Sequence, residues 1–376
     1  MKIFFISHWG WGLYKSRSVI ARGIRKQYKV NAICPKDEFY HMLIGSYDNF
    51  YEWNIDRTKS NLRQIISTFS LIKILKIHLD GNIFHIFTFK SSVLFALSIA
   101  LLGKKKNTHA ISSITGLGYF FGNTRIAKIS RTIFRIPLKI VLSGTFDYYI
   151  FQNKIDKFKL QEYLKLDVKI LRLIESSGLD TKSIKVKEIF KTKNFNVIMA
   201  TRLLKEKGID EYIEIAKSVR LKNKNIKFFL AGEIDKGNPS SIGEDQLQQI
   251  KNNPDINYLG NVEDLQNQLH KYDIAITTSH HEGFSRFLLE SSYVGLYCLS
   301  NNLPGTEAIL KNNLNGRLID DNNTSEFSKD IIDYAKGNLT DADHVLQQRS
   351  FIEEEFSIEK VIEKFIILYS TIEKDV

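Results

Sequence analysis

Along this chain, short runs of apolar and β-branched residues alternate with longer stretches in which apolar positions recur every three or four residues. KIFFIS (2–7), KVNAIC (29–34), IFHIFT (83–88), HAISSI (109–114), YYIFQN (148–153) and VKILRL (168–173) are the short runs of the first half. They read as parallel strands covered on both faces, and the stretches between most of them, beginning with 16–26, read as helices. After a polar, lysine-rich stretch at 181–194 the alternation restarts with NVIMAT (196–201), FFLAG (228–232), INYLG (256–260), IAITTS (274–279), YCLSN (297–301) and GRLID (316–320). Two such series in tandem predict an α/β chain of two Rossmann-like lobes, 1–185 and 186–356. Ligands in such sheets bind past the carboxyl ends of the strands, so the two lobes are expected to face a central cleft. Ile358, Val361, Ile362, Phe365, Leu368 and Tyr369 then share one helical face. They predict a closing helix over 357–376 that returns to the first lobe.

The bulk properties fit this picture. A chain of 376 residues is comfortable for two domains, and 43% hydrophobic with 25% charged residues argues against long disorder. Short internal repeats and low-complexity segments are absent from the sequence. Cys34 and Cys298 stand far apart, each in or beside an expected buried strand, which suits a reducing cytosol. The opening MKIFFISHWG lacks a long apolar stretch with a cleavage site, so a signal peptide is not expected. The longest apolar run, 93–102, has about half of the roughly 20 residues a spanning helix needs and reads as a buried helix.

Charge adds an asymmetry. Residues 1–190 hold 31 Lys and Arg against 13 Asp and Glu, while the remainder holds 22 against 29. A basic first half beside an acidic second half predicts that the first alone meets something anionic. Within it, Arg125, Lys128, Arg131, Arg135 and Lys139 fall on one helical face, with Phe120, Phe121, Ile126, Ile129 and Phe134 close by. This stretch, 124–144, has two readings. It is a basic amphipathic helix lying on an anionic membrane, or a solvated charged face over a buried apolar one. The first-half charge favours the membrane.

The strongest chemical signal is HEGFSRFLLE at 281–290. A strand ends, a glycine turn follows, and a helix begins near Ser285. The start of a helix, with its unpaired N–H groups, suits a diphosphate. Glu282 is placed to accept hydrogen bonds from sugar hydroxyls, with Gly283, Phe284 and Ser285 alongside. Glu290 is placed to hold a ribose, as an acidic residue does in dinucleotide sites. Arg202 stands just past a strand and Lys207 just before Gly208 at a helix start, where two cations neutralise a leaving diphosphate. Either signal alone is matched by a plain loop with solvated charges. Gly10 and Gly12, in the turn Trp-Gly-Trp-Gly after the first strand, permit close approach of a phosphate or sugar, and the incomplete G-x-G-x-x-G argues against a dinucleotide there. Asp341 and Asp343 form a lone D-x-D that reads as solvated acids, and no spacing elsewhere suits a metal.

Together these segments resemble family 4 of the glycosyltransferases, retaining enzymes of the two-lobed GT-B fold. ATRLLKEKGIDEYIEIA (200–216) looks like the family's phosphate-binding segment, and HHEGFSRFLLE (280–290) like its E-x7-E motif. NLPGTEAI (302–309), NGRLID (315–320) and ESSGLD (175–180) look like its flanking segments. The form E-G-[FL]-[PS]-R-x-L-L-E, with AGEIDKGNPSSI (231–242), HIFTFKSS (85–92) and ITGLGYFF (114–121), is similar to the bacterial branch that builds lipid-linked glycans. The resemblance implies retention of anomeric configuration and no metal or other cofactor. The donor, a UDP-sugar, would lie on the second lobe, with Arg202, Lys207 and Glu282 as the catalytic set.

The resemblance further implies that the acceptor, a polyprenyl-diphosphate-linked glycan of surface-polysaccharide synthesis, meets Lys90, Thr115 and Gly116 on the first lobe. A cytoplasmic enzyme, peripheral on the inner face of the bacterial membrane, is the expected setting. One departure is plain: the family often has a histidine where this chain has Thr115-Gly116, and His109 lies too far upstream to replace it. Two other glycosyltransferase acceptors, a soluble one and a lipopolysaccharide core, fit the same pattern. A nucleotide-sugar 2-epimerase shares the fold but needs acid–base groups that are not identified here. A nucleic-acid partner explains the charge but not the E-G-x6-E helix, and none is expected.

Overall fold

A computed structural model of the chain describes residues 1–374 apart from 123, 188–194, 236–237, 239, 312–313, 321–322 and 338–341, with the backbone alone at 119, 342 and 343. The chain divides into two compact units, Met1–Gly178 with Ile358–Val376, and Leu179–Ser357. The join at Gly178–Leu179 precedes the 185/186 boundary expected from the sequence. Leu179 already belongs to the second unit, where it is fully buried and its N–H donates to Phe356 O at 2.9 Å.

The first unit is a seven-stranded parallel sheet: β1 (Lys2–Ile6), β2 (Lys29–Cys34), β3 (Asn49–Glu52), β4 (Asn82–Phe87), β5 (Thr108–Ile114), β6 (Tyr148–Phe151) and β7 (Leu171–Leu173), in the order β3-β2-β1-β4-β5-β6-β7. Alternation along the strands sends side chains to two cores. Phe4, Ile6, Phe84 and Ile86 pack under the helices Thr68–His78 and Phe89–Leu102, so the long apolar run is indeed a buried helix. Ile3, Phe5, Ile83 and Phe87 pack under the helix Gly10–Ile24 and the closing helix Ile358–Lys374. The closing helix buries Val361, Phe365, Leu368 and Tyr369, the periodic positions that announced it. No helix among the described residues is long and apolar enough to cross a membrane.

Two expectations for this unit need correction. The turn at 9–12 is not a loop: the first helix begins at Gly10, not near 16, and Asp37 caps it by accepting the Gly10 N–H at 2.8 Å. The run 168–173 pairs only over its second half, because Asp167 accepts the Lys169 N–H at 2.9 Å and turns 168–170 into a 3-10 turn. The helix Arg125–Leu142 does not bury its whole apolar face. Ala127 and Leu142 are buried, but Ile126, Ile129, Ile133, Ile136 and Ile140 are between 59% and 71% exposed. Arg131 and Arg135 turn back to their own unit. The first donates to Phe120 O and Gly122 O at 2.6 and 2.8 Å, the second to Tyr163 O at 3.0 Å.

Two imidazoles in this unit are held neutral. His85 on β4 is fully buried between Tyr369 Oη and Ser113 Oγ, each 2.6 Å away, and burial, then Arg17, pushes its pKa well below the usual value. Burial, then Lys90 and Arg57, brings His8 down to about 3. The unfolded chain takes up these protons as pH falls through about 6.5, while the folded unit does not, so stability is complete above that pH and declines below it. The expected loss for His8 is about 2 kcal/mol at pH 5. All three tryptophans, at 9, 11 and 53, lie in this unit, so urea unfolding followed by tryptophan fluorescence reads it. An equal midpoint at pH 7.5 and 5 contradicts the neutral-histidine account.

The second unit is a six-stranded parallel sheet: β8 (Phe195–Ala200), β9 (Ile226–Ala231), β10 (Ile256–Gly260), β11 (Ile274–Thr277), β12 (Tyr297–Asn301) and β13 (Gly316–Ile319), in the order β10-β9-β8-β11-β12-β13. Val197, Met199, Phe228 and Ile276 face one core, Ile198, Ala275 and Cys298 the other. The order places β8 and β11 side by side at the centre, where successive connections depart in opposite directions. In open sheets of this kind the carboxyl ends flanking that point receive ligands.

Candidate functional site

The loops after β8 and β11 meet at this point. Past β8 the chain makes a 3-10 turn, Lys205–Lys207, then Gly208, then the helix Ile209–Lys222. Gly208 holds φ +69, and a Cβ there would lie 2.0 Å from the carbonyl oxygen of Thr278, just past β11. Only glycine allows that approach. The two segments are then tied: Thr278 Oγ1 donates to Gly208 O at 2.6 Å, and the His280 N–H to Glu206 O at 2.9 Å. This brings Lys207 Nζ to 2.6 Å from Glu282 Oε2, with the side chains 14% and 17% exposed. Two residues expected independently to act on a donor thus stand in contact.

The turn that carries Glu282 is supported from below. A Cβ at Gly305 would lie 2.3 Å from Glu282 O, and Gly305 O accepts the Ser285 N–H at 3.2 Å. Ser285 is the N-cap of the helix Arg286–Val294, its hydroxyl accepting the Leu288 N–H at 3.4 Å. Phe284 anchors the turn on Phe356, ring centroids 5.7 Å apart. Glu290, 9% exposed, lies a turn inside, and Arg286 Nε donates to its Oε1 at 2.7 Å. Arg202 stands past β8 and pairs with Asp235 at 2.6 Å; its side chain is half exposed and that of Asp235 buried. Asp235 is fixed by its own loop, its N–H donating to Ser241 Oγ at 3.0 Å.

Sequence reasoning missed Asp235, Arg286, Gly208 and Gly305 as parts of this site. Asp235 is an acid in the loop that follows β9, four residues past its end, as Arg202 is two residues past the end of the neighbouring β8. Arg286 is four residues before Glu290, the spacing of a helical ion pair. The glycines could be read only once their neighbours across the sheet were known. Chemically, the assembly offers three cations, each tied to a carboxylate (Lys207 to Glu282, Arg202 to Asp235 and Arg286 to Glu290), and the electropositive start of a helix.

The first-lobe residues are spread over several elements of their own unit. Gly10 and Gly12 lie in the first turn of a helix already capped by Asp37. Lys90 begins the helix Phe89–Leu102, its pKa lowered by burial and then by Arg57. Thr115 and Gly116 follow β5, Thr115 beside Arg17 and Gln152 in the wall of a small cavity. His109 sits inside β5 with Nδ1 3.7 Å from Asp147 Oδ2. Among the described residues no three His, Cys, Asp or Glu side chains gather as a ligand set for a metal. Asp341 and the side chain of Asp343 lie outside the described residues.

Residues 180–350 match the family described as glycosyl transferases group 1. The capsular polysaccharide biosynthesis glycosyltransferase CapM of Staphylococcus aureus is 22% identical over 182 residues, 48% of this chain and 47% of that protein. The chain thus spans about half the length of that relative. A second relative matches over most of its length: the UDP-Gal:alpha-D-GlcNAc-diphosphoundecaprenol alpha-1,3-galactosyltransferase of Escherichia coli, 24% identical over 363 residues, 92% of this chain and 89% of that one. Among solved structures, HepE of Anabaena in complex with UDP-glucose superposes with a TM-score of 0.76 over 99% of this chain and 100% of that one, at 15% identity. The two parallel-sheet lobes are therefore those of the GT-B fold.

Proposed function

We propose that this chain, whose residues 180–350 carry the glycosyl transferases group 1 domain, is a retaining, metal-independent glycosyltransferase of family 4. It moves a sugar from a UDP-sugar to a polyprenyl-diphosphate-linked glycan at a membrane surface. The observation that carries the reading is the Lys207–Glu282 contact beside the capped helix that bears Glu290. A diphosphate placed at the start of that helix meets Lys207 and Arg202. The carboxylates that hold these cations keep them aimed. Glu290 takes the ribose hydroxyls, and Glu282 with the Gly283–Ser285 backbone takes the donor sugar. As the bond from the anomeric carbon to the diphosphate breaks, negative charge grows on the leaving oxygen, and two fixed cations stabilise it. The acceptor oxygen bonds to the anomeric carbon on the face the diphosphate leaves. Its proton passes to the leaving diphosphate, since Thr115 offers no imidazole.

Substrate class rests on the named relatives. The Escherichia coli relative acts on a UDP-sugar and a diphosphoundecaprenol-linked acceptor, and HepE was solved with UDP-glucose. The membrane setting rests on the helix Arg125–Leu142, whose outward isoleucines lie beside a row of cations and whose sequence contains no acid. On this reading the chain works on the inner face of a bacterial membrane.

A nucleotide-release screen over UDP-, GDP- and ADP-sugars, with and without membrane extract, tests the reading. UDP release that requires the extract and survives EDTA is expected. Interconversion of nucleotide sugars without acceptor points to an epimerase. Loss of turnover on chelation, restored by Mg²⁺ or Mn²⁺, overturns the metal-free mechanism and returns attention to Asp341 and Asp343.

A further inference from the structure

A second cavity, unused by the donor chemistry, opens in the first unit over the carboxyl ends of β1, β2 and β3, with a volume of about 340 Å³. That volume is at the small end of ligand pockets, about 300–1,000 Å³. The place is one that open parallel sheets reserve for ligands. His8, directly past β1, is held rigidly in its wall. Its N–H donates to Ser91 Oγ at 3.0 Å, and its Nδ1 lies 2.9 Å from that oxygen and 3.2 Å from Thr88 Oγ1. With Nδ1 committed, Nε2 has no hydrogen bond to any described residue. Burial and the nearby Lys90 and Arg57 keep the ring neutral, so Nε2 meets a ligand without charge.

The rest of the lining selects the ligand. Trp9 stacks on Trp11 at 5.0 Å and 20°, and the Arg57 guanidinium lies 3.9 Å from its ring centroid, which fixes an arginine in the wall. Four carboxylates, Asp37, Glu38, Glu52 and Asp56, face two cations, Lys36 and Arg57. That excess repels a phosphate or diphosphate. The polar lining gives little to an apolar chain. Closely spaced acceptors, a guanidinium, the amide of Asn54 and a neutral imidazole suit a ligand that both donates and accepts at several adjacent positions, which is a sugar ring.

We infer that this cavity is a saccharide subsite that seats one neutral or amino sugar residue of the acceptor glycan, with His8 Nε2 on one of its hydroxyls. The inference rests on the transferase reading, and it separates the acceptor's parts: sugar here, diphosphate and lipid elsewhere.

The test is saturation-transfer NMR on the full chain with methyl glycosides of glucose, galactose, mannose, N-acetylglucosamine and N-acetylgalactosamine. Inorganic phosphate serves as the anionic probe, and UDP titration checks the second unit. At least one glycoside should bind. His8→Phe and Glu52→Gln should each weaken it about tenfold or more, and leave UDP binding unchanged. Glu52 is exposed at a strand end, so its variant should fold even if the His8 variant does not. UDP binding with no glycoside binding overturns the subsite, as does glycoside binding that Glu52→Gln leaves intact or that phosphate displaces. Glycoside binding without UDP binding keeps the subsite and overturns the transferase reading.

Discussion

Replacing Lys207 by alanine should lower turnover about 10²–10³-fold, the usual cost of removing one preorganised donor to developing negative charge. The geometry argues for the upper part of that range. Lys207 is not a mobile surface lysine: Gly208 is pressed against Thr278, His280 holds Glu206, and Glu282 takes the ammonium at 2.6 Å. Little reorganisation is needed when the leaving charge appears. Alanine also strands the Glu282 carboxylate, which costs about 1–3 kcal/mol of stability if it finds no other partner. A Lys207→Ala/Glu282→Gln double variant separates the two effects. It should regain the stability of wild type and none of the rate. Turnover of Lys207→Ala within threefold of wild type, in protein that unfolds at the normal temperature, removes Lys207 from the reaction.

Serine at Ile129, Ile133, Ile136 and Ile140 should abolish binding to anionic vesicles. These side chains are 59–71% exposed, an arrangement that costs solvation unless something covers it. Burying the remaining surface of each contributes about 1 kcal/mol, so four contribute about 10³ in affinity. Of the five cations, Arg131 and Arg135 are engaged by Phe120, Gly122 and Tyr163, leaving Arg125, Lys128 and Lys139 for lipid headgroups. Each contributes about 1 kcal/mol near an anionic surface. Glutamine at those three positions should therefore weaken binding less than the serine set does, and mainly at low salt. Vesicle sedimentation decides. Absence of binding by the wild-type chain to anionic vesicles at low salt makes the isoleucine face something other than a membrane contact, and favours a soluble acceptor.

Much of this was legible before any coordinates. Runs such as KVNAIC and YCLSN coincide with β2 and β12 because strands buried on both faces leave a continuous apolar signature. β3 was not visible: NFYE is an edge strand of four residues whose ends are exposed, so no apolar pressure marks it. The first helix was started too late because Trp-Gly-Trp-Gly looks like a turn, and its cap, Asp37, lies 27 residues away. Periodicity showed cations on one face of Arg125–Leu142 but not which face meets the protein. Leu138 and Val141 pack against the core while the isoleucine row turns outward, a choice made by the helices alongside. At the site, Lys207 and Glu282 were each suspected from their place past a strand, yet their contact depends on β8 and β11 being neighbours. Arg202's tie to Asp235, 33 residues on, depends in the same way on β9.

The donor site is tested most directly by calorimetric titration of UDP into the full chain and into its Glu290→Ala variant. Glu290 is a buried carboxylate whose present partner is Arg286, and the account gives it the ribose of the donor. UDP should bind the wild-type chain without added metal. The variant should lose about 1.5–3 kcal/mol, or about 10–150-fold in Kd, the value of a charged hydrogen-bond acceptor. A wild-type chain that binds no UDP, or a variant that binds it as tightly as wild type, contradicts the account.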